Sequence, residues 1–145
     1  MTLENSEKKL RILVVDDEPD IRETIRRGLE AEGFLVDSSG DPEEALALFR
    51  PGAYDLAILD IRLPKMNGFQ LFREIRSADP RIRVCFITAF EVYYDEFKKV
   101  FPKIHVSCFV RKPVSIKKLA EIIREELGRP ELAVGEPVPP ERRQR

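Results

Sequence analysis

Short apolar runs alternate with amphipathic stretches from residue 11 to residue 128. RILVV (11–15), FLVDS (34–38), YDLAILD (54–60), RVCFIT (83–88) and HVSCFV (105–110) are brief and rich in Val, Ile and Leu, and they predict five strands. Between the first two, DEPDIRETIRRGLEAEG predicts a helix. Pro19 suits its first turn, Ile21, Ile25 and Leu29 lie four apart on one face, and Gly33 stops it. Asp41-Pro42 opens a second helix over EEALALF, with an acid at the N-cap and proline next. FQLFREIRSA (69–78) predicts a third, with Phe69, Phe72 and Ile75 on one side. FEVYYDEFKKVF (90–101) predicts a fourth, with Phe90, Tyr94, Phe97 and Phe101 sharing a face, and VSIKKLAEIIREELG (114–128) predicts the last.

Continuously apolar strands mean burial on both sheet faces, and strands alternating with helices mean a parallel sheet covered on each side. Right-handed crossovers restrict the topology further. The expected fold class is α/β, an open doubly wound sandwich. The expected organisation is a short N-terminal tail (1–9), one domain (10–128) and a disordered proline-rich tail or linker stub (129–145).

Composition narrows the function classes. Lys plus Arg (25) nearly balance Asp plus Glu (26), which gives no electrostatic case for nucleic acid or a membrane surface as main partner. The 35% of charged residues reads as a solvated helical surface. The two cysteines, Cys85 and Cys108, sit in apolar runs and read as reduced core thiols. His105, the only histidine, cannot by itself build a His-based metal site or a triad. The charged N-terminus has no apolar signal core, and no stretch has bilayer-spanning length, so a soluble cytoplasmic protein is expected.

Ligands of open parallel sheets bind beyond the carboxyl ends of the strands. There the chain places Asp16 and Asp17 (first strand), Asp60 (third), Thr88 (fourth) and, past Phe109, Lys112 (fifth). Three converging carboxylates repel one another by roughly 3 kcal/mol per pair at about 5 Å and an effective dielectric near 20. Either some of them are protonated or a cation sits among them; Lys112 offsets only one charge, and a divalent ion with it would bring the cluster close to neutral. Hard carboxylate oxygens favour Mg²⁺, Mn²⁺ or Ca²⁺ over zinc. Beside such an ion, an ammonium and a hydroxyl suit a phosphoryl group, and an aspartate can act as its nucleophile. Asp60, on the most buried-looking strand, is the candidate.

The motifs VVDDEPD at strand 1, LAILDIRLPKMNG around Asp60, ITA at Thr88–Ala89 and FVRKP at 109–113 occur in that order. In this the chain resembles the receiver domain of two-component response regulators, over roughly residues 10–128. The resemblance implies a (βα)5 flavodoxin-like fold with strand order 2-1-3-4-5. It implies that Asp60 accepts a phosphoryl group from a sensor histidine kinase or histidine phosphotransfer protein. It further implies Mg²⁺, with Mn²⁺ as a substitute, held by Asp17, Asp60 and the backbone carbonyl of Arg62, with Asp16 acting through water. Lys112 would pair with the phosphoryl group, Thr88 and Ala89 would meet it, and Phe109 would move inward with Thr88. The Lys112–Pro113 peptide would be cis. The output face would be formed by the fourth helix, fifth strand and fifth helix. It would engage a downstream protein target or a second copy in a phosphorylation-dependent homodimer. No direct nucleic-acid or membrane contact is implied.

Three departures set this chain apart. Thr88 and Lys112 are 24 positions apart, longer than expected, and HVSC stands where a small pair usually precedes the fifth strand. The fourth helix carries Tyr93, Tyr94, Phe97 and Phe101, which serve as core packing or as a specialised partner surface. Arg62 and Phe90 are bulky at positions expected to tune phosphoryl lifetime. Three alternatives remain beside a stand-alone receiver. One is the receiver part of a longer transcription regulator. Another is a Mg²⁺-dependent aspartyl-phosphate hydrolase, disfavoured because Arg62 occupies the place of its second acid. The third is an interaction module that no longer uses phosphate.

Overall fold

The computed structural model describes residues 9–89, Lys99 and 108–128. Five strands, β1 (Arg11–Val15), β2 (Leu35–Ser39), β3 (Leu56–Asp60), β4 (Arg83–Thr88) and β5 (Cys108–Arg111), form one sheet in the order β2-β1-β3-β4-β5. All pairings are parallel. The helices are α1 (Pro19–Ala31), α2 (Pro42–Leu48), α3 (Gly68–Ala78) and α4 (Ile116–Gly128). The fold class and strand order expected from the sequence are those observed. Of the predicted 90–101 helix only Lys99 is described, and it is helical. Phe90, Tyr93, Tyr94, Phe97, Phe101, His105, residues 1–8 and residues 129–145 lie outside the described residues, as do positions 105–107 of the fifth predicted strand.

The strands work as two-sided partitions. Leu13, Val15, Ala57, Leu59, Val84 and Phe86 pack with Phe69, Phe72 and Ile75 of α3 and Ala45 of α2. Their alternates, Ile12, Val14, Leu56, Ile58, Cys85, Ile87 and Val110, pack with Ile25 and Leu29 of α1 and Leu119 and Ile123 of α4. This is the period-two alternation of a strand with helices on both faces. β3 is the centre of the sheet, and all five of its residues are buried.

Local chemistry moves several element boundaries. Phe34 is not in β2, because it closes α1: its N–H reaches Leu29 O (3.1 Å) while Gly33 N–H reaches Glu30 O (3.0 Å). That is a Schellman closure, and Gly33 supplies its positive φ of 104°. Asp41 caps α2 by accepting from Glu43 N at 2.9 Å. Asn67 and Gln70 form a reciprocal capping box, so α3 begins at Gly68. The last helix starts two residues later than the pattern indicates, since Ser115 Oγ accepts from Lys118 N at 3.1 Å.

One cysteine reading is corrected. Cys85 is disulfide-bonded rather than a reduced core thiol. In the β4–β5 register its Cα partner is Cys108.

Candidate functional site

Strand register levels the acids. Val15 pairs with Leu59, so Asp16 and Asp60 leave the sheet side by side. Asp60 pairs with Ile87, and Thr88 with Arg111, which brings Thr88 and Lys112 in one step further along the same edge. Lys112 N–H donates to Thr88 O at 2.7 Å, tying the two ends together. The reversal of strand order lies between β1 and β3, where an open α/β sheet has its crevice.

Asp16, Asp17 and Asp60 each present a carboxylate oxygen within 4.8 Å of the others. Asp16 and Asp60 are buried and Asp17 is exposed. The Lys112 ammonium lies 3.0 Å from Asp16 Oδ2, 3.0 Å from Asp60 Oδ2 and 2.9 Å from Glu18 Oε1. Glu18 was not singled out from the sequence, where it reads as an ordinary acid at a helix start; its pairing with Lys112 is made only by the fold. Three acids therefore face one ammonium, with Asp17 beside two of them. Asp16 Oδ1 accepts from Glu18 N at 2.9 Å, while Oδ2 is buried 3.0 Å from the Lys112 ammonium without a well-aligned hydrogen bond. Asp60 Oδ1 accepts from Arg62 N at 3.2 Å.

The electrostatics follow. Burial first, then the neighbouring Asp16 charge, push the Asp60 carboxyl up to about 6, against the pull of Lys112. Burial works against the Lys112 charge, but hydrogen bonds to Glu18, Asp16 and Asp60 outweigh it and hold the ammonium above the ordinary lysine range. Excess negative charge, hard oxygen donors and the under-bonded Asp16 Oδ2 all fit a small divalent cation.

Thr88 is buried at the end of β4, and Ala89 is exposed just beyond it. The half-buried Phe109 ring lies 5.7 Å from Phe86 at an interplanar angle of 47°. Arg62 is exposed at the mouth, and Phe90 lies outside the described residues. The Lys112–Pro113 peptide is cis. Beside Lys112, a cleft of about 430 Å³ is lined by Ile21, Ile25, Ile87, Pro113, Val114 and Ile116.

A five-stranded doubly wound sheet with an acid-and-lysine rim at its carboxyl edge defines a small α/β domain whose site lies beyond the strand ends. Comparison with known proteins narrows it. The response regulator receiver domain family matches residues 12–124, and the chain belongs to that family. The transcriptional regulatory protein RprY of Bacteroides fragilis is 32% identical over 123 residues, covering 85% of this chain and 51% of its own. A CheY-like response regulator receiver domain protein of Methanospirillum hungatei superposes with a TM-score of 0.74 at 29% identity, over 83% of this chain and 94% of its own. The response regulator TrrA of Thermotoga maritima, solved in complex with Mg²⁺-BeF, has a TM-score of 0.69 at 36% identity, over 80% of this chain and 97% of its own. The chain spans about half the length of the curated relatives it matches. It is a two-component receiver domain, a phosphoacceptor signalling module of the kind that works with histidine kinases. Among the described residues no helix is long and apolar enough to cross a membrane.

Proposed function

We propose that Asp60 is the phosphoacceptor. A carboxylate oxygen of Asp60 attacks the phosphorus of a phosphohistidine on a sensor histidine kinase or histidine phosphotransfer protein. The N–P bond breaks, and the imidazole leaves with the bonding pair and takes up a proton. The observation carrying this reading is the meeting of Asp16, Asp17, Asp60 and Lys112 at one strand edge, with Asp60 on the central, buried strand.

Asp16, Asp17, Asp60 and the Arg62 carbonyl would hold Mg²⁺, or Mn²⁺ in its place. The ion would supply positive charge against which the transferring phosphoryl oxygens are neutralised. Lys112 exchanges its contact with Asp60 Oδ2 for a phosphoryl oxygen, and the Thr88 hydroxyl and the Ala89 segment close on the others. Because Lys112 N–H is bonded to Thr88 O, movement of one end draws on the other. Phe109 follows Thr88 by shifting on Phe86. The responding face, which the resemblance assigns to the fourth predicted helix, β5 and α4, would engage a downstream target or a second copy. Arg62 and Phe90 set phosphoryl lifetime by hindering water. Their replacement by alanine is expected to speed phosphate loss. The domain is taken as residues 10–128 of a cytoplasmic protein, and self-phosphorylation from small donors belongs to the same chemistry. The share of the relatives covered favours a second context, in which this receiver is the N-terminal part of a longer transcription regulator.

The test is incubation with acetyl phosphate or phosphoramidate and Mg²⁺, followed by intact mass. One added phosphoryl group in the wild type and none in D60N is expected. Equal labelling of D60N refutes the site, and sustained turnover of a generic phosphate ester would favour the hydrolase reading instead.

A further inference from the structure

We propose that Arg22 is a positioning residue for the cation-holding loop, an inference that rests on the receiver reading of this site. Arg22 lies one turn into α1, and its own N–H bonds to Glu18 O at 2.9 Å. Its guanidinium turns back along the helix, and Nη1 donates to the main-chain oxygen of Asp16 at 2.7 Å.

That bond completes the immobilisation of Asp16. The Asp16 N–H donates to Ser39 O at 3.2 Å, Oδ1 accepts from Glu18 N at 2.9 Å, and Oδ2 lies 3.0 Å from Lys112 Nζ. Arg22 holds the remaining polar atom. The Asp16 oxygen belongs to the peptide that leads into Asp17, so fixing it fixes the plane from which the exposed Asp17 carboxylate is projected. Hard-cation sites lose affinity when a ligand must be reoriented on binding, because the ordering then occurs at the expense of binding free energy.

Gly40 makes room for this arrangement. A Cβ there would overlap Arg22 Nη1 and stand 3.1 Å from Cζ. The guanidinium thus lies directly on the glycine backbone at the β2–α2 junction, with Asp16 on its other side. Since the obstructing atoms are the end of a flexible side chain, a larger residue at position 40 displaces Arg22 and leaves the backbone in place.

Two roles for Arg22 make opposite predictions. As a mere positive charge near the site it would repel the cation. R22M would then tighten Mg²⁺ binding, and G40V, which keeps the charge, would not. As a positioning residue it predicts weaker binding in both variants, by about tenfold, the scale of one lost hydrogen bond to a charged donor. The double variant R22M/G40V would be no worse than either single one, because both break the same contact.

The experiment measures Mg²⁺ affinity by titration calorimetry, phosphorylation rate against Mg²⁺ concentration, and amide hydrogen exchange at residues 16–18 in metal-free protein. The expected result is a raised Mg²⁺ requirement with an unchanged plateau rate, faster exchange at residues 16–18 in both variants, and partial recovery in R22K. Unchanged exchange at those residues in R22M and G40V overturns the proposal, as does tighter Mg²⁺ binding in R22M. A wild type that takes up no Mg²⁺ refutes the functional reading, and the exchange measurement on metal-free protein still decides the role of Arg22.

Discussion

Asp60→Asn should stabilise the metal-free protein at neutral pH, although it removes the proposed phosphoacceptor. The side chain is buried beside Asp16, and its carboxyl is raised from an ordinary 3.8 to about 6. In the unfolded chain Asp60 ionises above about pH 4, whereas in the folded chain it resists ionisation until about pH 6. The folded state therefore holds the extra proton in that window, and stability falls as pH rises through it. At about 1.4 kcal/mol for each tenfold change in proton affinity, the full cost above pH 6 is about 3 kcal/mol. Asparagine keeps the shape and carries no charge, so D60N should recover most of this, on the order of 10 °C in Tm for a domain of this size. Lys112 keeps Asp16 and Glu18 as partners in the variant. The assay is thermal unfolding in EDTA at pH 7.5 and pH 4.0. The gain should be present at the higher pH and absent at the lower, and Mg²⁺ should stabilise wild type more than D60N. A D60N protein no more stable than wild type at pH 7.5, or one whose advantage persists at pH 4.0, would refute the account of Asp60 as a carboxylate destabilised by burial and by the neighbouring Asp16 charge.

Phe86 is fully buried and meets Phe69 and Phe72 edge to face, at 5.3 and 5.5 Å, so Phe86→Ala should cost about 3–5 kcal/mol in urea unfolding. Asp41→Ala removes the α2 cap and should cost about 1 kcal/mol in the same assay. Burial, then the bond to Asp37 at 2.7 Å, push the Tyr54 phenol up to about 12. The folded state holds that proton more tightly than the unfolded chain does. Wild type should therefore lose stability as pH rises from about 10 to about 12, and Tyr54→Phe should flatten that slope in alkaline melts.

The order of strands and helices was legible because each strand is a short apolar run and each helix has an apolar stripe. The rim acids were legible for a different reason: Asp16 and Asp60 break the apolar pattern at strand ends, where burial makes a charge expensive unless it has a purpose. Glu18 and Arg22 were not legible. Both look like ordinary polar residues of an amphipathic helix, and their roles come from partners that only the tertiary fold supplies, Lys112 in one case and the Asp16 main chain in the other. The cysteines failed similarly. Cys85 lies in an apolar run that gives no sign of a disulfide, and only the fold sets Cys108 beside it as its Cα partner.

Gly68 carries a last consequence. Its N–H bonds to Ile61 O at 2.8 Å, and a Cβ there would collide with the Asp60 carbonyl and stand 2.8 Å from Ile61 Cα. The head of α3 thus rests directly against the Asp60 backbone, like an anvil under the rim. A side chain at position 68 would therefore have to push the Asp60–Ile61 backbone aside, and with it the carboxylate around which the rim is built.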